Sequence, residues 1–170
     1  MVVKNVKLSW AFISRVDDNG NFRVSFEVTP EQSAEIDAEL AKICAENNKD
    51  FSKADWQGSK KVSEDGTIIY SAKCAKVFKN KQGEEIQREL PVYDKKAVKM
   101  EVVPNIENGA IANVEVAPYF VKYKQKSGAM LSLKALQLIS YTEYAGGNKF
   151  EAIEDDEAPF DTSEDSNLFK

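Results

Sequence analysis

Apolar and polar positions alternate from the start of the chain. Val6, Leu8, Trp10 and Phe12 are separated by single polar or small residues, and Phe22, Val24, Phe26 and Val28 alternate with Arg23, Ser25 and Glu27. A period of two gives each strand one core face and one wet face, and it assigns Trp10 to the core. Asp17-Asp18-Asn19-Gly20-Asn21 supplies a turn between the two runs, so the first thirty residues read as a β-hairpin. At Thr29 the period changes. A Thr cap, Pro30 at the first helical position and Gln32 three residues after the cap form a capping box, with Glu31 and Glu35 favourably placed near the positive end of the helix dipole. Ile36, Leu40, Ile43 and Cys44 then recur at helical spacing among Glu, Asp and Lys, which predicts a helix over 30–48 that covers a sheet with one face.

Asn47 to Asp65 has little periodicity and reads as an irregular loop carrying Trp56, Gly58, Lys60 and Lys61. Strand-like segments follow over Thr67–Phe78, Glu85–Tyr93, Ala97–Val103, Ala110–Tyr123 and Met130–Tyr141, separated by turn-rich Asn80-Lys81-Gln82-Gly83, Asn105–Gly109 and Gln125–Gly128. Many short strands with one helix predict a mainly β fold, a barrel or sandwich. After Gly146-Gly147 the composition turns to Asp, Glu, Ser and Pro. The expected organisation is one domain over 1–150 and a disordered acidic tail over 151–170.

Charge changes this picture by its distribution more than by its sum. The net charge is −5, but residues 151–170 hold eight acids and one base. Residues 1–150 are left at +2, and seven acids against three bases over Pro30–Gln57 put the rest of the body near +6. No eighteen-residue apolar run and no signal-like N-terminus is present, so a cytoplasmic protein without a membrane partner is expected. Cys44 and Cys74 lie thirty residues apart outside any Cys-x-x-Cys unit and read as small buried hydrophobes. The chain has no histidine and no phosphate-loop, dinucleotide or nucleophile-elbow motif. Neither metal nor cofactor is expected, and no catalytic residue is nominated; a carboxylate-only nuclease is the enzymatic alternative.

What remains is lysine interleaved with aromatics on strands. Phosphates need cations, and unpaired bases need flat apolar surfaces on which to stack. One such segment runs from Tyr119 to Lys126, where alternation puts Phe120, Lys122, Lys124 and Lys126 on one face and Tyr119, Val121 and Tyr123 on the other. A second contains Tyr70, Lys73, Lys76, Phe78, Lys79 and Lys81. Trp56, beside Lys60 and Lys61, is either a base platform or a loop anchor. The tail carries isolated aromatics, Phe160 and Phe169, among Asp155, Asp156 and Asp161, a composition that can lie over a basic groove or dock a ring in a partner. A protein-interaction module with merely solvated lysines is the other reading.

The run Asn108-Gly109-Ala110-Ile111-Ala112-Asn113-Val114-Glu115-Val116, then Pro118-Tyr119, then Lys126-Ser127-Gly128-Ala129-Met130-Leu131-Ser132-Leu133-Lys134-Ala135-Leu136-Gln137-Leu138, resembles the C-terminal half of the replicative single-stranded DNA-binding proteins of tailed bacteriophages. Asp65-Gly66 before a strand, Pro91-Val92-Tyr93-Asp94 and the acidic tail with near-terminal Phe169 fit the same pattern. The resemblance covers roughly Trp56 to Lys170. It implies an OB-fold, binding of single-stranded DNA without sequence preference, and contact of the tail with replication proteins such as a polymerase or a helicase/primase. A homodimer is compatible with it.

Overall fold

The computed structural model describes residues 1–144. The expected acidic tail and the boundary at residue 150 lie outside the described residues. In chain order the elements are β1 (Val2–Phe12), β2 (Asn21–Val28), α1 (Pro30–Glu46), a 3-10 turn at Phe51–Lys53, β3 (Trp56–Gln57), β4 (Lys61–Val62), β5 (Ile68–Ala75), β6 (Val77–Lys79), β7 (Glu85–Gln87), β8 (Val92–Tyr93), β9 (Ile111–Tyr123) and β10 (Lys126–Ser140).

Five strands close on themselves in the order β1-β2-β5-β10-β9 and back to β1. Every pairing in this ring is antiparallel except that of β5 with β10, which is parallel and joins Leu131 to Ala72 and Ser132 to Lys73. A closed five-stranded barrel with this connectivity is the OB-fold. β4 extends β5, β3 and β8 run parallel to β10, and β6 with β7 forms a separate hairpin.

The interior is filled from alternate positions: Val24, Phe26, Tyr70, Ala72, Val114, Val116, Leu131 and Leu133 are all buried. The alternation slips where the strands bulge. Inward positions jump from Val3 to Val6 on β1 and from Leu133 to Leu136 on β10, and the register shifts at both places. Each extra residue bends its strand, as a barrel of so few strands requires.

Helix α1 begins at the expected capping box: Gln32 N–H donates to Thr29 Oγ1 at 3.1 Å, and Thr29 N–H donates to Gln32 Oε1 at 3.0 Å. Ser33, Ile36, Leu40 and Cys44 make its buried stripe, which packs on β2, β9 and β10. Three expectations need correction. Ala97–Val103 is a turn and irregular chain carrying a single bridge from Lys99 to Tyr93, because Asp94 accepts the amides of Lys96 and Val98 and folds the backbone back. β10 starts at Lys126, four residues early, since a two-residue turn suffices to join it to β9. Trp10 is 65% exposed, since the register of β1 against β2 shifts between Ser9 and Phe12 and turns the indole outward.

Gly128 shows how tightly the short β3 is laid on the barrel. A β-carbon there would lie 2.4 Å from the Trp56 carbonyl oxygen and 2.5 Å from its nitrogen, backbone atoms that cannot swing aside. Gly128→Ala is expected to destabilise the fold by about 1–3 kcal/mol, read as a lower midpoint in chemical denaturation.

Candidate nucleic-acid interface

On an OB barrel the outward face of the second and third strands, with the loops joining strands one to two and four to five, is where oligonucleotides lie. Here those strands are β2 and β5. Barrel closure puts one residue from each of the five strands in a row: Phe12 faces Arg23, Arg23 faces Lys73, Lys73 faces Ser132, and Ser132 faces Ala117. Val24, Ala72, Leu133 and Val116, the sequence neighbours of this row, are buried, so the row points outward.

A groove of about 390 Å³ runs along the part of the row on β5, β10 and β9, with Lys73, Arg88, Lys134, Tyr119 and Ser132 among its lining residues. None of the residues lining it is acidic. Burial pushes the Tyr119 phenol up, so the ring is neutral at working pH. Cys74 also lines the groove; burial raises its thiol, against a hydrogen bond from Arg88, and leaves it a neutral wall.

Two protrusions flank the groove. The hairpin β6–β7 turns through Asn80, whose Oδ1 accepts the amides of Gln82 and Glu84 at 3.0 and 2.9 Å, and through Gly83 at φ +80°. It exposes Lys79 and Lys81, and the Arg88 guanidinium stacks 4.5 Å from the centre of the Phe78 ring. The second protrusion is the turn between Tyr123 and Lys126, with Lys124 in the left-handed region at φ +55°. Lys122, Lys124 and Lys126 are exposed on it, and Lys124 Nζ lies 5.4 Å from the Tyr123 ring.

The structure thus brings together part of the set nominated from sequence. Lys73 lines the groove; Lys79, Lys81, Lys122, Lys124 and Lys126 stand exposed on the flanking turns. Lys76 faces a neighbouring cavity that it shares with Arg88, Lys99, Glu89 and Glu101. Trp56 is half-buried on β3 and Lys61 is exposed on β4. Tyr70 is withdrawn altogether. It is fully buried, its hydroxyl donates to Asp37 Oδ1 at 2.5 Å and lies 2.8 Å from Ser33 Oγ, and burial together with Asp37 raises its pKa far above the usual phenol range. Lys60 belongs to the same cluster, 2.8 Å from Asp37 Oδ2 and 5.8 Å from the Tyr70 ring centre. Its charge is already matched by the helix. Phe120 is half-buried against the core opposite Ala129, and the neighbouring Tyr119 takes the groove side, the reverse of the expected stacking face.

Arg88, Lys134, Arg23 and Tyr119 were absent from the nominated set. Arg88, Lys134 and Arg23 are single cations in unrelated segments; barrel closure brings β2 and β10, with Arg23 and Lys134, beside Lys73 on β5, and the chain leaving the β6–β7 hairpin brings Arg88 to the groove.

The family model described as "Single-stranded DNA-binding protein, Bacteriophage T7" matches residues 56–141, a span that contains most of the groove and both flanking protrusions. The chain belongs to this family. It is a phage-type single-stranded DNA-binding protein, and its family is not one of enzymes. Among solved structures it is similar to gp2.5, the single-stranded DNA-binding protein of bacteriophage T7, with 20% identity and a TM-score of 0.69 over 91% of this chain and 98% of that one. It is also similar to the single-stranded DNA-binding protein of bacteriophage Enc34 in complex with single-stranded DNA, with 11% identity and a TM-score of 0.60 over 86% and 88% of the two chains. A C-terminal truncation of the Enc34 protein gives 12% identity and a TM-score of 0.57 over 84% and 86%. At these identities the likeness is one of fold. No curated protein sequence matches the chain.

For this single-stranded DNA-binding protein, the burial of Tyr70 separates packing from binding. Tyr70→Phe should cost about 1–3 kcal/mol of stability by leaving Asp37 and Ser33 short of a partner, while oligonucleotide affinity stays at the wild-type value. Paired denaturation and titration measurements check both halves.

Proposed function

We propose that the strand crosses the outer face of the barrel along the groove, with Lys73, Arg88 and Lys134 neutralising phosphates and Tyr119 stacking on a base. One observation carries this reading: three cations converge with an aromatic in a groove that no carboxylate lines. A surface of that composition suits a polyanion with exposed flat bases, and it reads no sequence because phosphates and base faces are common to all nucleotides. The lysines of the β6–β7 hairpin and of the turn at Lys124 extend the cationic track to either side. The protein then acts by coating and protecting single strands during phage replication and recombination in the host cytoplasm, without chemistry of its own. Among the described residues no helix is long and apolar enough to cross a membrane.

The measurement that decides it is affinity for a fluorescent oligothymidine against salt. Each phosphate neutralised contributes about 0.7 to the log–log slope, so the triple variant Lys73→Ala, Arg88→Ala, Lys134→Ala should flatten the slope by about 2. Tyr119→Ala should weaken binding about five-fold or more, in keeping with ~1–3 kcal/mol per stacked base. A slope and affinity equal to wild type in both variants would move the strand off this face.

The acidic segment 151–170, at −7, competes in this reading with DNA for the same cations and, once displaced, recruits replication proteins through Phe169. Truncation after Phe150 is expected to tighten DNA binding most clearly at low salt, where screening is weakest, and to abolish capture of a polymerase or helicase partner. Phe169→Ala should lose the partner alone. Titration at two salt concentrations, with a pull-down in parallel, checks both arms.

A further inference from the structure

Trp10 sits in a conformation that chain alternation does not explain. Its indole is 65% exposed and its backbone adopts φ +50°, a left-handed value costly for a bulky residue. The chain around it is held in place: Trp10 N–H donates to Asn108 Oδ1 at 2.9 Å, Gly109 N–H donates to Leu8 O at 2.8 Å, and Leu8 N–H donates to Ala110 O at 2.7 Å. The bulge is therefore a fixed device that presents an aromatic face to solvent.

That face belongs to a cavity of about 460 Å³, which Trp10 lines together with Phe12, Tyr144, Arg15, Asn105 and Asn108. Glu107 also lines it. Aromatic faces, a guanidinium and two side-chain amides are the groups that hold a planar heterocycle with polar edges next to a phosphate. The cavity and the groove share no lining residue, and the row of strand partners links one to the other. Phe12 is the register partner of Arg23, whose guanidinium lies 5.7 Å from the Phe12 ring, and Arg23 is in turn the partner of Lys73. Two strand spacings, about 10 Å, separate Phe12 from Lys73.

We propose that the Trp10 cavity holds one unpaired nucleobase of the bound strand, stacked on the indole with its edge toward Asn105 and Asn108 and its phosphate toward Arg15. This rests on the groove as the path of the strand and extends that path across β2 to the end of β1. It makes the bulge a terminal anchor for the strand rather than an irregularity of the barrel.

The chain has two tryptophans, so Trp56→Phe leaves Trp10 as the sole indole emitter. Oligothymidine should quench that emission with the same midpoint that anisotropy of the labelled oligonucleotide reports. In the otherwise wild-type protein, Trp10→Ala should weaken affinity about five-fold or more, with melting temperature and solution mass unchanged, and Trp10→Phe should recover most of the loss. An abasic oligomer of equal length should bind wild type and Trp10→Ala alike. Wild-type affinity in Trp10→Ala together with unquenched Trp10 emission, while anisotropy still shows binding, would overturn the inference and leave the groove standing. A fall in solution mass in Trp10→Ala with affinity preserved would overturn it too, making the face a contact between copies. If quenching persists but the Lys73, Arg88, Lys134 variant binds as tightly as wild type, the groove reading fails and the Trp10 site remains.

Discussion

Closure of the barrel rests on a parallel pairing two residues long, Leu131 with Ala72 and Ser132 with Lys73. Without it, the five strands would make an open sheet with β5 and β10 toward opposite ends, and Lys73 would lie toward one end with Lys134 and Tyr119 toward the other. Buried apolar side chains on both sides of the seam, Ala72 and Tyr70 from β5 and Leu131 and Leu133 from β10, give the pairing its driving force. The outward residues at the same positions inherit their proximity from that burial. A cationic groove costs repulsion among its own charges, and here the apolar interior behind it supplies the compensation.

Local signals in the sequence were legible where the physics is local. The hairpin at Asp17–Asn21 and the capping box at Thr29 depend on residues within a few positions of one another, and both stand as read. Side-chain direction was legible within an unbroken run and not across a bulge. A single extra residue reverses which face every later side chain occupies, so Trp10, extrapolated from Val6 and Leu8, was assigned inward and lies outward. On β9 the alternation that puts Ala112, Val114 and Val116 inward carries on to Phe120, which packs against the core, and leaves Tyr119 outward; the lysines that follow Phe120 had set it on the binding face instead.

The candidate site was legible as a composition and not as a place. Lysine-rich turns announce themselves in a chain, and those at Lys79–Lys81 and Lys122–Lys126 are indeed exposed. Arg88 and Lys134 had no such run around them; their neighbourhood is made by strands far apart in sequence. Tyr70 and Lys60 differ in the opposite sense, being engaged by contacts within the chain. Both sit in basic, aromatic stretches, yet Asp37 on the helix takes the hydroxyl of one and the charge of the other. No local pattern links position 37 to positions 60 and 70, so a cation that counts toward a basic surface in the sequence is matched by a part-buried carboxylate of the same chain.

On the path proposed for the strand, the short seam between β5 and β10 also gives it a mechanical part to play. A ligand whose phosphates are held by Lys73 on one side and Lys134 on the other spans the shortest pairing in the ring, so it works as a clasp across the place where the barrel has least backbone hydrogen bonding to lose. Breathing of the seam and release of the strand then become one event seen from two sides. By mass action, a strand present at a hundred times its dissociation constant holds the barrel shut by about 2.7 kcal/mol. On that path the strand-bound protein is in that sense a different material from the free protein, stiffened along one line by the polymer it carries.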